Sequence, residues 1–202
     1  MTPATAMMPL LTDPAKRKCI FSLANPGWVN DFKLRFSGDA LTDGPPPAHT
    51  TNLFQGGSFD SRYNLNRTLL IPPPVAPAGI RHVELAFMLS GHYDMEFKPS
   101  SHTFTINGAP FTVSSEGVAG TPLGCTIGVR QGRVQPNEHG TWYAGRNFWC
   151  NGADVPVHRF DVTTAAKRAM PVNVTYHAVG PGGTAPAGGA MVLSSVLAWS
   201  TF

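Results

Sequence analysis

Hydrophobic and polar residues alternate in several short segments of the chain, which is the pattern of β-strands that bury one face. The alternation is clearest in Arg81–Leu89, where four apolar side chains share one face: Val83, Leu85, Phe87 and Leu89. Further strands are predicted for Arg17–Leu23, Asp31–Ser37, Asn66–Ile71, Thr103–Val113, Cys125–Arg130, Val155–Val162, Val172–Val179 and Met191–Phe202. The only predicted helix is a turn or two within Thr163–Arg168.

The dipeptide Asn107-Gly108 marks the clearest hairpin in the chain. Both residue types tolerate the positive φ angles of a two-residue type I′ turn. This turn fixes the register, so Phe104 is predicted to face Phe111 on the neighbouring strand. Pro110 lacks a backbone N–H, which places its strand at the edge of a sheet.

Short strands separated by turn signals, without alternating helices, predict an all-β fold. We expect a single antiparallel β-sandwich of the jelly-roll type, with eight or more strands, over residues 17–202. Residues 1–16 are dominated by Thr, Pro and Ala without periodicity, so they are predicted to form an extended N-terminal arm. Loops are predicted where Gly and Pro cluster, at Gly38–Thr51 and Gly180–Gly189.

Composition and charge exclude several functional classes. Charged residues make up 13% of the chain, about half of the usual fraction, and the net charge is +3. The basic cluster Lys16-Arg17-Lys18 is either a contact for an anionic partner or a solvated entry to the first strand. No basic stripe with interleaved aromatic residues occurs, so nucleic-acid binding is not expected. We find neither an apolar run of about 18 residues nor a signal peptide.

Three cysteines are present, Cys19, Cys125 and Cys150, so at least one is unpaired within the chain. The loop between Cys125 and Cys150 has little core of its own, and a crosslink would stabilise it; two buried thiols are the alternative. A bridge would indicate folding in an oxidising environment. The seven histidines are dispersed without the spacing of a copper site, so no metal and no cofactor are expected.

Gly91–Phe97 is a candidate functional loop because it directly follows an alternating strand. Its carboxylates Asp94 and Glu96, together with His92, suggest a surface that binds sugars or other polar ligands. In an extended chain the two carboxylates would point the same way, and such pairs perform acid–base chemistry when their environments split their pKa values. The simpler interpretation is two loop carboxylates in water.

A second candidate cluster consists of four residues: Trp142, Tyr143, Arg146 and Trp149. Aromatic faces stack on the C–H surfaces of sugars, and a guanidinium offers a fixed fork of hydrogen-bond donors. This combination is typical of a carbohydrate-binding surface. The alternative is a small apolar core beside a disulfide, with Trp149 packed on the bridge.

The order of these motifs resembles the C-terminal jelly-roll domain of the peptide-N-glycosidase F family. The order runs Leu89-Ser90-Gly91-His92, Glu96-Phe97, the Asn-Gly hairpin, Cys125 and Arg146-x-x-Trp149-Cys150-x-Gly152. Members of this family hydrolyse the amide that joins an N-glycan to asparagine. The resemblance implies that Cys125 and Cys150 are bridged. It also implies that Glu96, Arg146 and Trp149 are the carboxylate, arginine and tryptophan beside the sugar-binding cleft.

Two departures from the family pattern affect the functional hypothesis. Asn151 stands where the family has a proline after Trp-Cys. The family enzymes also have two jelly rolls side by side, with a key aspartate on the N-terminal one, whereas we expect one jelly roll and an arm here. Asp60 is a tempting substitute, but no motif places it in that role.

We therefore hypothesise a non-catalytic structural or recognition subunit that assembles with other protein chains through its N-terminal arm. Its ligands would be glycans, and its location would be extracellular or on the surface of a virion, particle or cell. The alternative is a peptide-N-glycosidase in which Glu96 and Arg146 are catalytic and a second domain comes from another chain.

Overall fold

The computed structural model describes residues 47–74, 79–132, 134, 144–150 and 153–201. Within these ranges the strands are β1 (His49–Ser58), β2 (Thr68–Ile71), β3 (His82–His92), β4 (Ser101–Ile106), β5 (Ala109–Ser114), β6 (Val157–Asp161), β7 (Val172–Val179) and β8 (Ala190–Ser200). Helix α1 spans Leu123–Arg130, and helix α2 spans Thr163–Ala166 within the predicted helical segment. Single 3-10 turns cover Tyr93–Met95 and Pro181–Gly183.

The strands form two four-stranded antiparallel sheets, in the orders β1-β8-β3-β6 and β2-β7-β4-β5. The first strand pairs with the last, the second with the seventh, the third with the sixth and the fourth with the fifth. This nested pairing is that of a jelly roll, which confirms the predicted fold class. The predicted arm 1–16 and the predicted strands Arg17–Leu23 and Asp31–Ser37 lie outside the described residues.

The hydrophobic core lies between the sheets and consists of the inward faces of their strands. Every second residue of β3 from Val83 to Leu89 is at most 1% exposed, as the alternation predicts. Phe104 on the opposite sheet packs on Phe87, with ring centroids 4.6 Å apart, and on Tyr176 at 4.8 Å. Because Phe87 and Phe104 belong to different sheets, their contact joins the two sheets. Full burial of each such side chain contributes roughly 1.5–3 kcal/mol to stability.

The predicted hairpin is confirmed in turn type, register and position. Asn107 and Gly108 have φ angles of +46° and +85°, as a type I′ turn requires. Phe104 pairs with Phe111 across β4 and β5. β5 is an edge strand of its sheet, in agreement with Pro110.

The segment Cys125–Arg130, which the alternation predicts as a strand, instead lies in helix α1. The deciding signals lie at the two ends of the segment. Pro122 immediately precedes the helix, where its fixed φ suits a helical start. Gly132, with a φ of +67°, ends the helical turn and donates its N–H to the Val129 carbonyl at 3.0 Å. The strand prediction is therefore wrong.

Strand β1 overlaps the predicted loop Gly38–Thr51, and the sequence pattern predicts no strand in its remainder. Among its ten residues only Phe54 is buried, and register shifts interrupt its pairing with β8. A polar, bulged edge strand shows no period of two. Gly56 is required because a Cβ there would lie 2.0 Å from the Met191 carbonyl oxygen.

Candidate functional site

Two segments meet at the C-terminal end of β3 and form what we call the two-loop site. It consists of residues 91–97 and residues 144–150. The Gly91 N–H donates to the Asn147 carbonyl at 3.0 Å, and the Asn147 N–H donates to the Glu96 carbonyl at 2.8 Å. Asn147 therefore holds the beginning and the end of the turn that follows β3.

Two glycines allow close backbone contacts at the two-loop site: Gly91 where the two loops meet, and Gly145 where the second loop meets Val118. A Cβ at Gly91 would lie 2.5 Å from the Met95 carbonyl oxygen and 2.7 Å from Asn147 Cβ. A Cβ at Gly145 would lie 2.2 Å from the Val118 carbonyl oxygen. Contacts that short are sterically forbidden, so both positions require glycine in this arrangement.

Arg146 is the central charged residue of the two-loop site and is only 6% exposed. Its guanidinium pairs with the carboxylate of Glu96, whose side chain remains 29% exposed. The guanidinium carbon lies 4.4 Å from the ring centroid of Trp149 and 4.9 Å from that of Phe97. Burial lowers the pKa of Arg146, and cation–π contacts with desolvated rings oppose that cost by up to roughly 2 kcal/mol. One carboxylate and two rings thus fix the direction of the arginine.

Trp149 connects the arginine to the turn after β3. Its indole Nε1–H donates to the Gly91 carbonyl at 3.0 Å, and its ring stacks on the His92 imidazole with centroids 5.3 Å apart. His92 Nε2 lies 2.9 Å from Ser90 Oγ. Burial lowers the pKa of His92, and the charge of Arg146 lowers it further, so this imidazole is neutral near pH 7.

Tyr93 and Phe97 supply exposed aromatic surface on either side of Glu96 in the sequence of the turn. Tyr93 is 81% exposed and has a φ of +56°, which is rare for an aromatic residue. Its carbonyl accepts the Glu96 N–H at 2.9 Å, which closes the 3-10 turn. The turn therefore presents an apolar rim together with a carboxylate.

A disulfide between Cys125 and Cys150 joins the second loop to helix α1, with Cα atoms 5.7 Å apart. This confirms the pairing that the family resemblance implies, and it excludes two buried thiols. Disulfides persist in oxidising environments, which indicates a location outside the reducing cytosol. Cys19 lies outside the described residues.

Behind the two-loop site, a chain of buried polar side chains runs into the core. Asn147 is 0% exposed; its Oδ1 accepts a hydrogen bond from Ser115 Oγ at 2.6 Å, and its Nδ2 donates to Ser100 Oγ at 2.9 Å. Ser100 Oγ lies 2.8 Å from His102 Nε2. His102 Nδ1 lies 2.6 Å from Tyr176 Oη. The polar groups of these buried side chains are therefore paired, as burial requires.

Burial is the main reason why the pKa of His102 falls to about 3, so its imidazole is neutral in this chain of hydrogen bonds. Burial likewise raises the pKa of Tyr176 well above its usual value. The pattern of apolar and polar residues does not single out these buried polar side chains. One signal was present: His102 lies two residues before Phe104, and so on the same inward face of β4.

A family model described as "Peptide-N-glycosidase F, C terminal" matches residues 69–198, which is more than half of the chain. The chain belongs to this family. The resemblance recognised from the motif order is thereby confirmed. No curated protein matches the chain.

Solved structures of peptide-N-glycosidase F share the fold of this family member. They include a recombinant peptide: N-glycanase F (20% identity, TM-score 0.50), a peptide-N(4)-(N-acetyl-β-D-glucosaminyl) asparagine amidase (21%, 0.53) and PNGase F, a glycosylasparaginase from Flavobacterium meningosepticum (21%, 0.51). Each comparison covers 76% of this chain and 52% of the other. The chain therefore spans about half the length of these solved relatives.

In this peptide-N-glycosidase F family member, the two-loop site brings together four residues singled out in the sequence: His92, Glu96, Arg146 and Trp149. Asp94 lies on the same turn, but its side chain is directed toward Gly188. A Cβ added at Gly188 would lie 3.1 Å from Asp94 Oδ2. The chain forms a 3-10 turn there instead of an extended segment, so the condition under which Asp94 and Glu96 would point the same way is not met.

The remaining sequence candidates lie elsewhere or outside the described residues. Trp142 and Tyr143 lie outside the described residues. Asp60 accepts hydrogen bonds from the backbone N–H and the guanidinium of Arg62, at 2.8 and 2.9 Å, in an exposed turn. Within the described ranges, no cluster of three or more His, Cys, Asp or Glu side chains could hold a metal. No helix in this part of the chain is long and apolar enough to cross a membrane.

Proposed function

We propose that this chain is a non-catalytic recognition subunit that binds the glycan–asparagine region of N-linked glycoproteins and assembles with other protein chains. The ion pair between Glu96 and the buried Arg146 carries the proposal. A carboxylate held by a guanidinium is a weaker general base, because the neighbouring positive charge favours its anionic form. In its anionic form such a carboxylate remains a hydrogen-bond acceptor, and the Glu96 side chain is 29% exposed.

The surroundings of Glu96 suit a sugar ligand. Hydroxyl and acetamido N–H groups are donors for a carboxylate, and hydrogen bonds to charged groups contribute about 1.5–3 kcal/mol each. The same turn carries the exposed rings of Tyr93 and Phe97. The half-buried ring of Trp149 contacts the Arg146 guanidinium that pairs with Glu96. Amphipathic aromatic rings contact the C–H face of a pyranose while its hydroxyls remain hydrogen-bonded.

Calorimetric titration with a glycopeptide that carries N-acetylglucosamine disaccharide on asparagine tests the proposal. We expect the wild-type chain to bind and Glu96→Gln to weaken binding about tenfold, the loss of one charged hydrogen bond. Glu84→Gln is the matched control, because Glu84 pairs with Arg159 near the opposite end of β3. Absence of wild-type binding, or equal losses in both variants, would reject the proposal.

A second candidate function is peptide-N-glycosidase activity, with a second domain supplied by another chain. It is favoured by the convergence of Glu96, Arg146 and Trp149 in a chain whose solved relatives are named as asparagine amidases. Incubation with a denatured N-glycoprotein and mass analysis separates the two functions. Glycan loss with conversion of Asn to Asp would support the enzyme, and Glu96→Gln should then abolish the activity.

The assembly part of the proposal depends on residues 1–16, whose sequence resembles an extended docking arm. Deletion of these residues should abolish incorporation into a larger complex, as measured by sedimentation, and leave the melting temperature nearly unchanged. Normal incorporation would reject the arm as the contact. An extracellular or particle-surface location accords with the disulfide and belongs to the same proposal.

A further inference from the structure

We infer that Asn147 is a positioning residue, which sets the distance and direction of the Glu96–Arg146 pair in the two-loop site. The ligand named in this inference rests on the proposed function, but the geometry of Asn147 is independent of that function. Asn147 is fully buried, so it reaches no ligand itself and acts through its neighbours.

The backbone of Asn147 lies at the centre of the two-loop site. It directly follows Arg146, and its N–H donates to the carbonyl of Glu96 at 2.8 Å. The two members of the ion pair are therefore tied together by a backbone hydrogen bond one residue away. The Asn147 carbonyl accepts the Gly91 N–H at 3.0 Å, and the Gly91 carbonyl in turn accepts the Trp149 indole N–H at 3.0 Å.

The side chain of Asn147 fastens this arrangement to the opposite sheet. Its Oδ1 lies 2.6 Å from Ser115 Oγ and 3.1 Å from Ser100 Oγ, and its Nδ2 donates to Ser100 Oγ at 2.9 Å. Ser100 immediately precedes β4 and Ser115 immediately follows β5, whereas the turn of the site follows β3 in the other sheet. An amide satisfies both serines because it offers an acceptor and a donor; an apolar side chain offers neither.

The polar chain behind Ser100 keeps this anchor in one arrangement. Ser100 Oγ contacts His102 Nε2 at 2.8 Å, and His102 Nδ1 contacts Tyr176 Oη at 2.6 Å. Side chains in such a buried network have few alternative partners, so a satisfied network specifies one geometry. Glu96 and Arg146 thus depend on contacts that lie deep in the sandwich.

Asn147→Ala, Ser115→Ala and the control Val174→Ala, each in the full chain, test the inference. Val174 is fully buried on β7, so its truncation lowers the melting temperature without touching the site. The first readout is the NMR signal of the Trp149 indole N–H, assigned with Trp149→Phe. The second is the Kd for the asparagine-linked disaccharide glycopeptide, measured well below all melting temperatures.

We expect Asn147→Ala to shift the Trp149 indole signal and raise the Kd about tenfold or more, because a misplacement of about 1 Å in a site costs an order of magnitude or more. Ser115→Ala should show a smaller change of the same kind, and Val174→Ala should show neither change. An unmoved indole signal in Asn147→Ala, or equal changes in Val174→Ala, overturns the inference. If the wild-type chain binds no glycopeptide, the proposed function fails, and the indole signal alone decides whether Asn147 positions the loops.

Discussion

The interior of the sandwich and the two-loop site are stabilised by different kinds of contact. Between the sheets, side chains such as Phe87, Phe104 and Leu197 are at most 1% exposed and meet through apolar surface. In the two-loop site, an ion pair, directed hydrogen bonds and two glycines bring the backbones together. Apolar contact is non-directional, whereas hydrogen bonds weaken steeply with distance and angle.

This difference separates stability from function in the molecule. A smaller side chain in the interior removes buried area, but the sheets that surround it keep their pairing. A small displacement at Asn147 or Gly145 changes where Arg146 points. Variants of the interior should therefore change the free energy of unfolding, and variants of the two-loop site should change ligand affinity at a smaller cost in stability.

The largest expected effect belongs to Phe104→Ala in the interior. Because Phe104 is fully buried between both sheets, its truncation should lower the free energy of unfolding by about 3–5 kcal/mol. Urea unfolding measures this loss. Glycopeptide titration of Phe104→Ala at low temperature should give the wild-type Kd. A raised Kd in the folded variant would contradict the separation of stability from binding in these two regions.

Acidification should destabilise the chain through His102, which links the two regions. Its pKa is about 3 in the folded chain against an ordinary value of 6.5, and the facing groups His158 and Arg67 disfavour its charge in addition to burial. Between these pH values the unfolded chain binds a proton that the folded chain does not. The contribution of His102 to the free energy of unfolding is therefore fully present above pH 6.5. It is lost, by several kcal/mol, as pH falls toward 3.

Urea unfolding of the wild-type chain and of His102→Gln, measured between pH 7 and pH 4, tests the role of His102. The variant has no proton to gain at this position, so its stability should fall less steeply with pH. The lowered pKa values of His92 and His158 leave a residual slope of the same sign in both proteins. Parallel slopes would show that His102 does not carry the acid sensitivity.

Removal of the Cys125–Cys150 disulfide should have the next largest effect. For a sequence separation of 25 residues, chain entropy predicts a loss of about 3 kcal/mol. The double variant Cys125→Ser, Cys150→Ser tests this by thermal unfolding. Because the bridge anchors the loop that carries Arg146 and Trp149, glycopeptide affinity should fall as well. An unchanged affinity would show that Asn147 holds the loop without the bridge.

The smallest expected effect, and the sharpest local test, is Gly145→Ala. Its Cβ would stand 2.2 Å from the Val118 carbonyl oxygen, so the loop must shift, at a cost of about 1–3 kcal/mol. Gly79→Ala is the matched control, because its Cβ would meet Thr201 Cγ2 at an ordinary 3.6 Å. Thermal unfolding and glycopeptide titration should separate the two variants, and equal behaviour would show that the close contact between Gly145 and Val118 is unnecessary.

The interior was predictable from the sequence because its signals are local. In β3 and β7 the alternation of apolar residues identifies the buried face directly. The dipeptide Asn107-Gly108 fixes a turn, and the turn fixes the pairing of Phe104 with Phe111. Where local signals are weak, prediction fails: β1 is polar and bulged, and the ends of α1 outweigh the strand-like pattern within it.

The two-loop site was only partly predictable. Motif order identified Glu96, Arg146 and Trp149 through the family resemblance, but their mutual contacts depend on residues far apart in the sequence. Asn147 meets Ser100 and Ser115 across separations of 47 and 32 residues, and no periodicity encodes such a contact. The 3-10 turn that separates the directions of Asp94 and Glu96 likewise follows from how the loops dock.

Pro110 limits how this chain can join others. Its hairpin register places it next to the hydrogen-bonded pair Ile106–Ala109, so its nitrogen points away from β4 toward the open side of β5. A strand arriving there would find a missing donor at the position where lateral growth of the sheet needs one. Self-association through continuous sheet pairing is thus discouraged at this edge of the sandwich.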